Sequence, residues 1–294
     1  MAASVGRPPW LDRPIPVVSA AKAVIIIIIT VVMLYPFLYI IAMSFAAKDS
    51  SMSGFWPTAF SADSYRSILG GGVVTRALLV SGFVTFMGTL LSLAFTSTLA
   101  YGLTRVRDVP GARVALILVL ATMFFGAGII PNFLLIKSLG LIDSLWSLIL
   151  PGMVSAFNLV VMRNFFMNIP VGLLEAARID GASNFRIFAQ IVLPLSKPVM
   201  AVIGLFYAVG YWNSYFNALI YISTPDKWPI QVVLNQYVIQ GSQIARLQAT
   251  DIPTPPAQSI QMAVVVLATV PILIIYPFLQ RHFAKGMLTG AIKE

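Results

Sequence analysis

Apolar residues run along this chain in long, nearly uninterrupted blocks, with the polar ones gathered between them. Six blocks, at residues 23–44, 77–104, 114–136, 144–162, 199–222 and 260–279, contain no Asp, Glu, Lys, Arg or His. Each is long enough to cross about 30 Å of hydrocarbon as a helix. A charged side chain at mid-bilayer would cost roughly 2.5–3.5 kcal/mol, so the absence of charge inside all six supports six membrane spans. The fourth and sixth are the shortest, and the sixth carries Pro271 and Pro277, where a kink or tilt is expected. The expected fold is all-α: a polytopic six-helix membrane domain at 23–281, preceded by a segment at 1–22 and followed by a tail at 282–294. The apolar run at 23–47 is longer than a signal-peptide core and reads as a retained span.

Composition agrees with this pattern. Hydrophobic residues make up 59% of 294 positions, charged ones 10%, and mean hydropathy is +0.89, more apolar surface than a soluble domain of this size can hide. With no cysteine and a single histidine, His282, thiolate metal sites, disulfides and histidine clusters are absent from the sequence. The net charge of +9 is sparse and grouped, as topology signals are, and does not point to nucleic acid. With both termini on the cytoplasmic side, 13 basic residues fall inside and 6 outside, in line with the positive-inside tendency. Four of the five tryptophans lie near span ends; Trp212 lies deeper.

Two loops assigned to the outer face exceed simple turns. Residues 47–76 hold Phe55-Trp56-Pro57 and a short helix around 62–69. Residues 223–259 begin with an apolar stretch at 229–239, read as a surface helix carrying Val233, Leu234, Tyr237 and Val238, and continue into a proline-rich run at 252–257. Two readings stand side by side: a lid or docking rim, and ordered packing over the bundle. Asp143 and Lys137 fall outside the hydrocarbon and read as shaping a short turn. The small residues between Gly82 and Ser97 read as a close-packing face.

The loop at 164–197 is the main amphipathic island. Asn168 is a candidate N-cap, with Pro170 in the first turn. Leu173, Leu174 and Ala177 then recur at helical spacing, with Glu175, Arg178 and Asp180 as polar neighbours. Gly181 is placed to end this helix in a left-handed conformation or to allow close backbone contact. Phe185, Phe188 and Ile191 or Val192 mark the apolar stripe of a second helix, and Pro194 and Pro198 flank re-entry into the fifth span. Periodicity alone leaves two options, a helix lying on lipid headgroups and a helix that docks on another protein.

The order Glu175-Ala176-Ala177, three residues, Gly181, nine residues, Ile191-x-Leu193-Pro194 resembles the EAA loop of ABC importer permeases. Asp180-Gly181-Ala182 and the downstream Phe188 resemble its sugar-importer branch. The tail Lys285-Gly286…Gly290-Ala291 is similar to that of maltose-type permeases, nearest to the subgroup for oligosaccharides and polysaccharide-derived sugars, alginate-type systems included. The resemblance implies a type I importer permease of the bacterial cytoplasmic membrane, a non-catalytic subunit with no cofactor of its own. Its partners would be a second homologous permease, two cytoplasmic ATPases that bind ATP and Mg, and an extracytoplasmic solute-binding protein; its cargo would be an oligosaccharide. Glu175 would make polar contacts with the ATPase, Ala176 and Ala177 would allow close approach, and Gly181 would form the bend. Asp180, Phe188, Leu193 and Pro194 complete the implied coupling set. The chain carries no Gly-rich phosphate loop followed by Lys-Ser or Lys-Thr.

For the cargo path, the polar-aromatic run Tyr211, Trp212, Asn213, Tyr215 and Asn217 stands out in the fifth span, where rings stack on sugars and amides bond hydroxyls. Asn158 and Asn132 are further candidates. The same side chains also serve as hydrogen bonds between helices. The outer charge balance of +1 does not decide between acidic and neutral sugars. Two other classes remain open: a permease for another solute, and an ion-coupled secondary transporter, against which the charge-free spans argue. A non-transporting scaffold is a third.

Overall fold

A computed structural model describes residues 16–47, 52–53, 56–105, 109–239 and 257–290. The N-terminal segment before residue 16, the proline-rich run up to 256, Phe55, and the tail beyond Gly290 lie outside the described residues. The architecture is helical: α1 Pro16–Ser44, α2 Asp63–Leu69, α3 Val73–Thr104, α4 Ala112–Ala121, α5 Ile129–Ser138, α6 Trp146–Ile149, α7 Ala156–Met167, α8 Val171–Ile179, α9 Asn184–Ile187, α10 Leu193–Leu195, α11 Lys197–Trp212, α12 Phe216–Tyr221, α13 Ile230–Ile239 and α14 Ala257–Gly290. A two-residue antiparallel ladder, Met52–Ser53 with Trp56–Pro57, folds the loop between α1 and α2.

Among the described residues, three helices are long and apolar enough to cross a bilayer: Val17–Ser44, Val73–Thr104 and Gln258–Ile275. Two bent pairs raise the number to five, Trp146–Gly152 with Ala156–Met167 at 50° and Asn184–Leu195 with Lys197–Trp212 at 82°. The single helix expected at 114–136 is replaced by α4 and α5, each 10 residues, and the six unbroken spans read from hydropathy are not what the backbone forms. Gly128, the N-cap of α5, adopts φ +82, so α5 cannot extend back toward α4, which ends seven residues earlier at Ala121. Between α6 and α7 the break follows Pro151-Gly152, and Ser155 restarts the chain as N-cap, its hydroxyl accepting from Asn158 N. The fifth block stops at Trp212, where the bonding turns local: the Asn213 side-chain amide donates to Val209 O at 3.0 Å, Ser214 N to Tyr211 O at 3.2 Å, and Tyr215 N to Asn213 O at 2.7 Å. α14 continues through both Pro271 and Pro277.

Among the described residues, two apolar cores hold the bundle. One joins Leu103, Met162, Phe166, Ile187, Phe188, Ile203, Tyr207 and Tyr211 from α3, α7 and the segment running into α11. The other joins Val74, Ala77, Trp212, Ile230, Val233, Tyr237, Val264 and Ala268. The expected surface helix α13 is therefore a wall of the second core: Val233 and Tyr237 are buried and only Val238 faces out. This is the packing reading of that stretch. On α3, a small-residue face admits close neighbours. A Cβ on Gly88 would sit 2.7 Å from the Tyr211 ring.

Candidate coupling loop and translocation cavity

α7 ends where Pro170 forces the residue before it out of helical space. Asn168 is thus the C-cap of α7 and not the N-cap of the next helix; Pro170 takes that place, its carbonyl accepting from Leu173 N at 3.1 Å. α8 closes with Gly181 at φ +78. Gly181 N donates to Arg178 O at 3.0 Å and Ala182 N to Ala177 O at 2.9 Å, the paired bonds of a Schellman turn. Ser183 then caps α9 by accepting from Arg186 N. A Ser immediately before a new apolar stripe was the available signal for that cap. The helix swells into a π-helix at Phe188–Val192 before Pro194, which lacks an N–H and crowds the carbonyl four residues back.

The loop has two faces. Leu174, Ala177, Ala182 and Leu193 pack on the main core, and Ile187 and Phe188 are buried within it. Outward, Ile179 is 86% and Phe185 77% exposed, flanked by exposed Glu175, Ala176, Arg178 and Asp180. Phe185 therefore departs from the stripe expected for it; Ile187 fills the inward position. Large apolar side chains held in the open and rimmed by charge mark an interaction surface. Among the described residues, none of Glu175, Arg178 and Asp180 joins a salt bridge.

The inner face of the loop is bolted to the last turn of α3. Tyr101 stacks on Phe188 with ring centroids 5.0 Å apart. Arg105 lies 4.9 Å over the Tyr101 ring, donates to its hydroxyl at 2.6 Å, and also donates to Asn184 Oδ1. Arg163 Nε donates to Leu103 O at 2.8 Å. Hydropathy gave no sign of this cluster, because its cross-element partners are 60 or more residues apart and its charged members sit at span ends.

Within the bundle, a cavity of about 450 Å³ is lined by Asn158, Asn217, Ser155, Ser214, Tyr207 and Tyr211, with Phe157 and Phe206 beside them. The two phenylalanine rings lie 6.4 Å apart. Tyr211 keeps its hydroxyl engaged, with Ser92 Oγ at 2.9 Å and Ile149 O at 3.1 Å, and Tyr207 bonds Thr96 at 2.7 Å. The structure thus brings together Tyr211, Asn217 and Asn158. It places Trp212 elsewhere, its indole N–H donating to Ala268 O at 3.0 Å in the other core. Asn213 bonds Val209 O and accepts from Gln231, and Tyr215 packs on the main core; neither lines this cavity, nor does Asn132. The helical i, i+4 pairing expected for Tyr211, Tyr215, Asn213 and Asn217 is lost with the break after Trp212.

At the opposite end from the coupling loop, Asp143 (φ +56) gathers Ser223 N, Thr224 N and Thr224 Oγ1, and its carboxylate meets Lys227 Nζ at 2.8 Å. The Lys227 ammonium, and after it the Thr224 donors, hold this carboxyl well below the usual carboxylate range. Arg76 pairs with Asp226 in the same loop. Asp143 shapes its turn as expected, whereas Lys137 is exposed on α5.

Comparison with known proteins places this architecture. Residues 2–289 match the family described as binding-protein-dependent transport system inner membrane component. The polygalacturonan/rhamnogalacturonan transport system permease protein YtcP of Bacillus subtilis (strain 168) is 50% identical over 263 residues, covering 88% of this chain and 92% of that one. Protein LplC of the same organism is 48% identical over 266 residues, 88% of each. Among solved structures, a chain of a bacterial ABC transporter involved in the import of the acidic polysaccharide alginate superposes with a TM-score of 0.85 at 30% identity, over 94% of this chain and 100% of that one. The family match spans nearly the whole sequence, and the loop, bundle and cavity all fall within it: the chain belongs to the binding-protein-dependent transport system inner membrane components, the permease subunits of ATP-driven ABC importers.

Proposed function

We propose that this permease carries oligosaccharides derived from an acidic, uronate-containing polysaccharide. The relative that shares half of its residues is named for polygalacturonan and rhamnogalacturonan, and the alginate importer shares its fold at 30% identity. The cavity lining fits a hydroxyl-rich ligand: the Asn158 and Asn217 amides both donate and accept, and Phe157 and Phe206 offer apolar faces to sugar rings. No charged side chain lines that cavity among the described residues, so in this reading the cargo's carboxylates are selected by the solute-binding protein.

The observation that carries the mechanism is the outward elbow of α8 and α9, with Ile179 and Phe185 exposed at its tip. In this reading the elbow seats in a groove of a cytoplasmic ATPase. Glu175 and Asp180 make polar contacts there, Ala176 and Ala177 permit close approach, and Gly181 sets the turn. Phe188, Leu193 and Pro194 hold the elbow to the bundle. Two ATPase subunits, closing on ATP and Mg, draw this elbow toward that of a second permease and switch the bundle between inward and outward opening. The chain crosses the bacterial inner membrane six times, α4 with α5 making one crossing, with both termini cytoplasmic. The coupling loop occupies 164–197 and the outer loops 47–76 and 223–259.

The test is uptake into proteoliposomes containing the full complex and its binding protein. ATP-dependent accumulation of oligogalacturonate over a neutral oligosaccharide of equal length is expected. Accumulation of a non-sugar solute instead, or uptake driven by an ion gradient without ATP, would overturn the reading.

A further inference from the structure

α3 differs from every other long element of this bundle. It runs 32 residues without a break or a proline, about 48 Å at the α-helical rise. α1 contains Pro36, α14 contains Pro271 and Pro277, and the remaining apolar blocks are interrupted at 122–128, 153–155 and 213–215. Polar contacts hold α3 at three levels. At the coupling-loop end, Arg105 and Tyr101 grip Asn184 and Phe188. At mid-length, Ser92 and Thr96 bond Tyr211 and Tyr207 in the cavity wall. At the far end, Ser81 accepts from Ile230 N at 2.8 Å, and Arg76 pairs with Asp226.

The covalent route out of the coupling loop is built differently. It passes through the π-helix, then through Ser196 at an 82° bend into α11. Ser196 N is shared there between Val192 O at 3.0 Å and Leu193 O at 3.1 Å, the bifurcated end of a helical turn. A joint bent by 82° next to a π-helix yields when pushed, whereas an unbroken helix gripped at its end moves as a body.

We infer that α3 is the rod that carries motion of the coupling loop to the cavity and to the far-end loop, and that Arg105 and Tyr101 are the positioning pair that fixes the loop to it. This rests on the proposed seating of the elbow in the ATPase. The guanidinium is suited to the task because its planar fork serves Tyr101 and Asn184 together while stacking on the ring; a lysine ammonium cannot do all three.

The test uses the complete complex of both permeases, two ATPases and the binding protein in lipid nanodiscs and proteoliposomes. Arg105→Ala leaves the complex assembled and hydrolysing ATP in response to loaded binding protein, while cargo moved per ATP falls about 10-fold, within the range of ordinary allosteric couplings. Arg105→Lys does not restore transport; rescue by lysine would show that only charge matters and would overturn the clamp. Asn184→Ala matches Arg105→Ala, and the double variant is no worse than either. The chain has no cysteine, so, with the partner subunits made cysteine-free, spin labels at Thr98→Cys and Gln190→Cys, both exposed, report the distance across the clamp. That distance is expected to stay the same between nucleotide-free and ATP-trapped states and to broaden with Arg105→Ala. A distance that changes in the otherwise unaltered chain, or normal transport by Arg105→Ala, overturns the inference. Ile179→Asp separates this from the seating itself. If it abolishes stimulated hydrolysis while Arg105→Ala is silent, the rod fails and the seating stands. If it changes nothing, the seating fails, and the label distance alone decides whether loop and α3 move together.

Discussion

Gly181 offers the sharpest test of how the elbow is made. Its φ of +78 lies where side chains with a Cβ are strained, yet a Cβ built there meets nothing within 4 Å. Any penalty is therefore conformational and not steric. A left-handed non-glycine residue costs roughly 1–2 kcal/mol, less for asparagine, which bonds locally. One to two kcal/mol changes a two-state population by about 5- to 30-fold. The population at stake is the closed turn, in which Gly181 N and Ala182 N bond Arg178 O and Ala177 O. Gly181→Asn, Gly181→Ala and Gly181→Val should therefore rank in that order of increasing damage, read as ATP-coupled uptake in proteoliposomes with complex assembly checked by co-purification. Asparagine and valine are close in size, so equal damage from both would mean that space, not backbone conformation, controls the elbow. Full activity of Gly181→Ala would refute the argument as well.

Other consequences follow from the packing. Gly88→Ala drives a methyl into the Tyr211 ring, which two hydrogen bonds hold in place; a loss of about 1–3 kcal/mol in detergent unfolding is expected, partly recovered when Tyr211 is also truncated. Trp212→Phe removes an interhelical bond worth about 0.6 kcal/mol and should lower thermal stability without altering the apparent KM for cargo. Asn158→Ala and Asn217→Ala should do the reverse, raising KM in uptake assays while the melting temperature stays put. Asp143 has its folded pKa depressed, so its contribution to stability is present above the unfolded value of about 4 and fades as pH falls toward the folded value. Thermal melts should show that contribution level from about pH 5 to 8, and Asp143→Asn should lower stability at neutral pH and remove the acid-side dependence.

The features legible in the sequence were those written in short-range chemistry. The α8–turn–α9 outline, the left-handed Gly181 and the small-residue face of α3 all follow from local residue types. Hydropathy located the apolar blocks but not their breaks. Ten-residue α4 and α5, the bend after Pro151-Gly152 and the stop at Asn213 are set by one or two residues that a span-length average smooths away. The polar-aromatic run in the fifth block shows the same limit: only after the break is it clear that Tyr211 and Asn217 share a cavity while Trp212 braces α14. The Arg105 clamp and the Asp143 clasp join residues about 80 positions apart, which no local pattern encodes.

The most direct measurement is ATP hydrolysis by the purified complex, with the solute-binding protein added across a panel of acidic and neutral oligosaccharides. Stimulation by oligogalacturonate-loaded binding protein, absent with neutral sugars and lost when Ile179 at the tip of the elbow is made Asp, is the predicted result. An intact complex whose hydrolysis ignores every acidic oligosaccharide would contradict the assigned cargo, and a permease that purifies with no ATPase would contradict the coupling account.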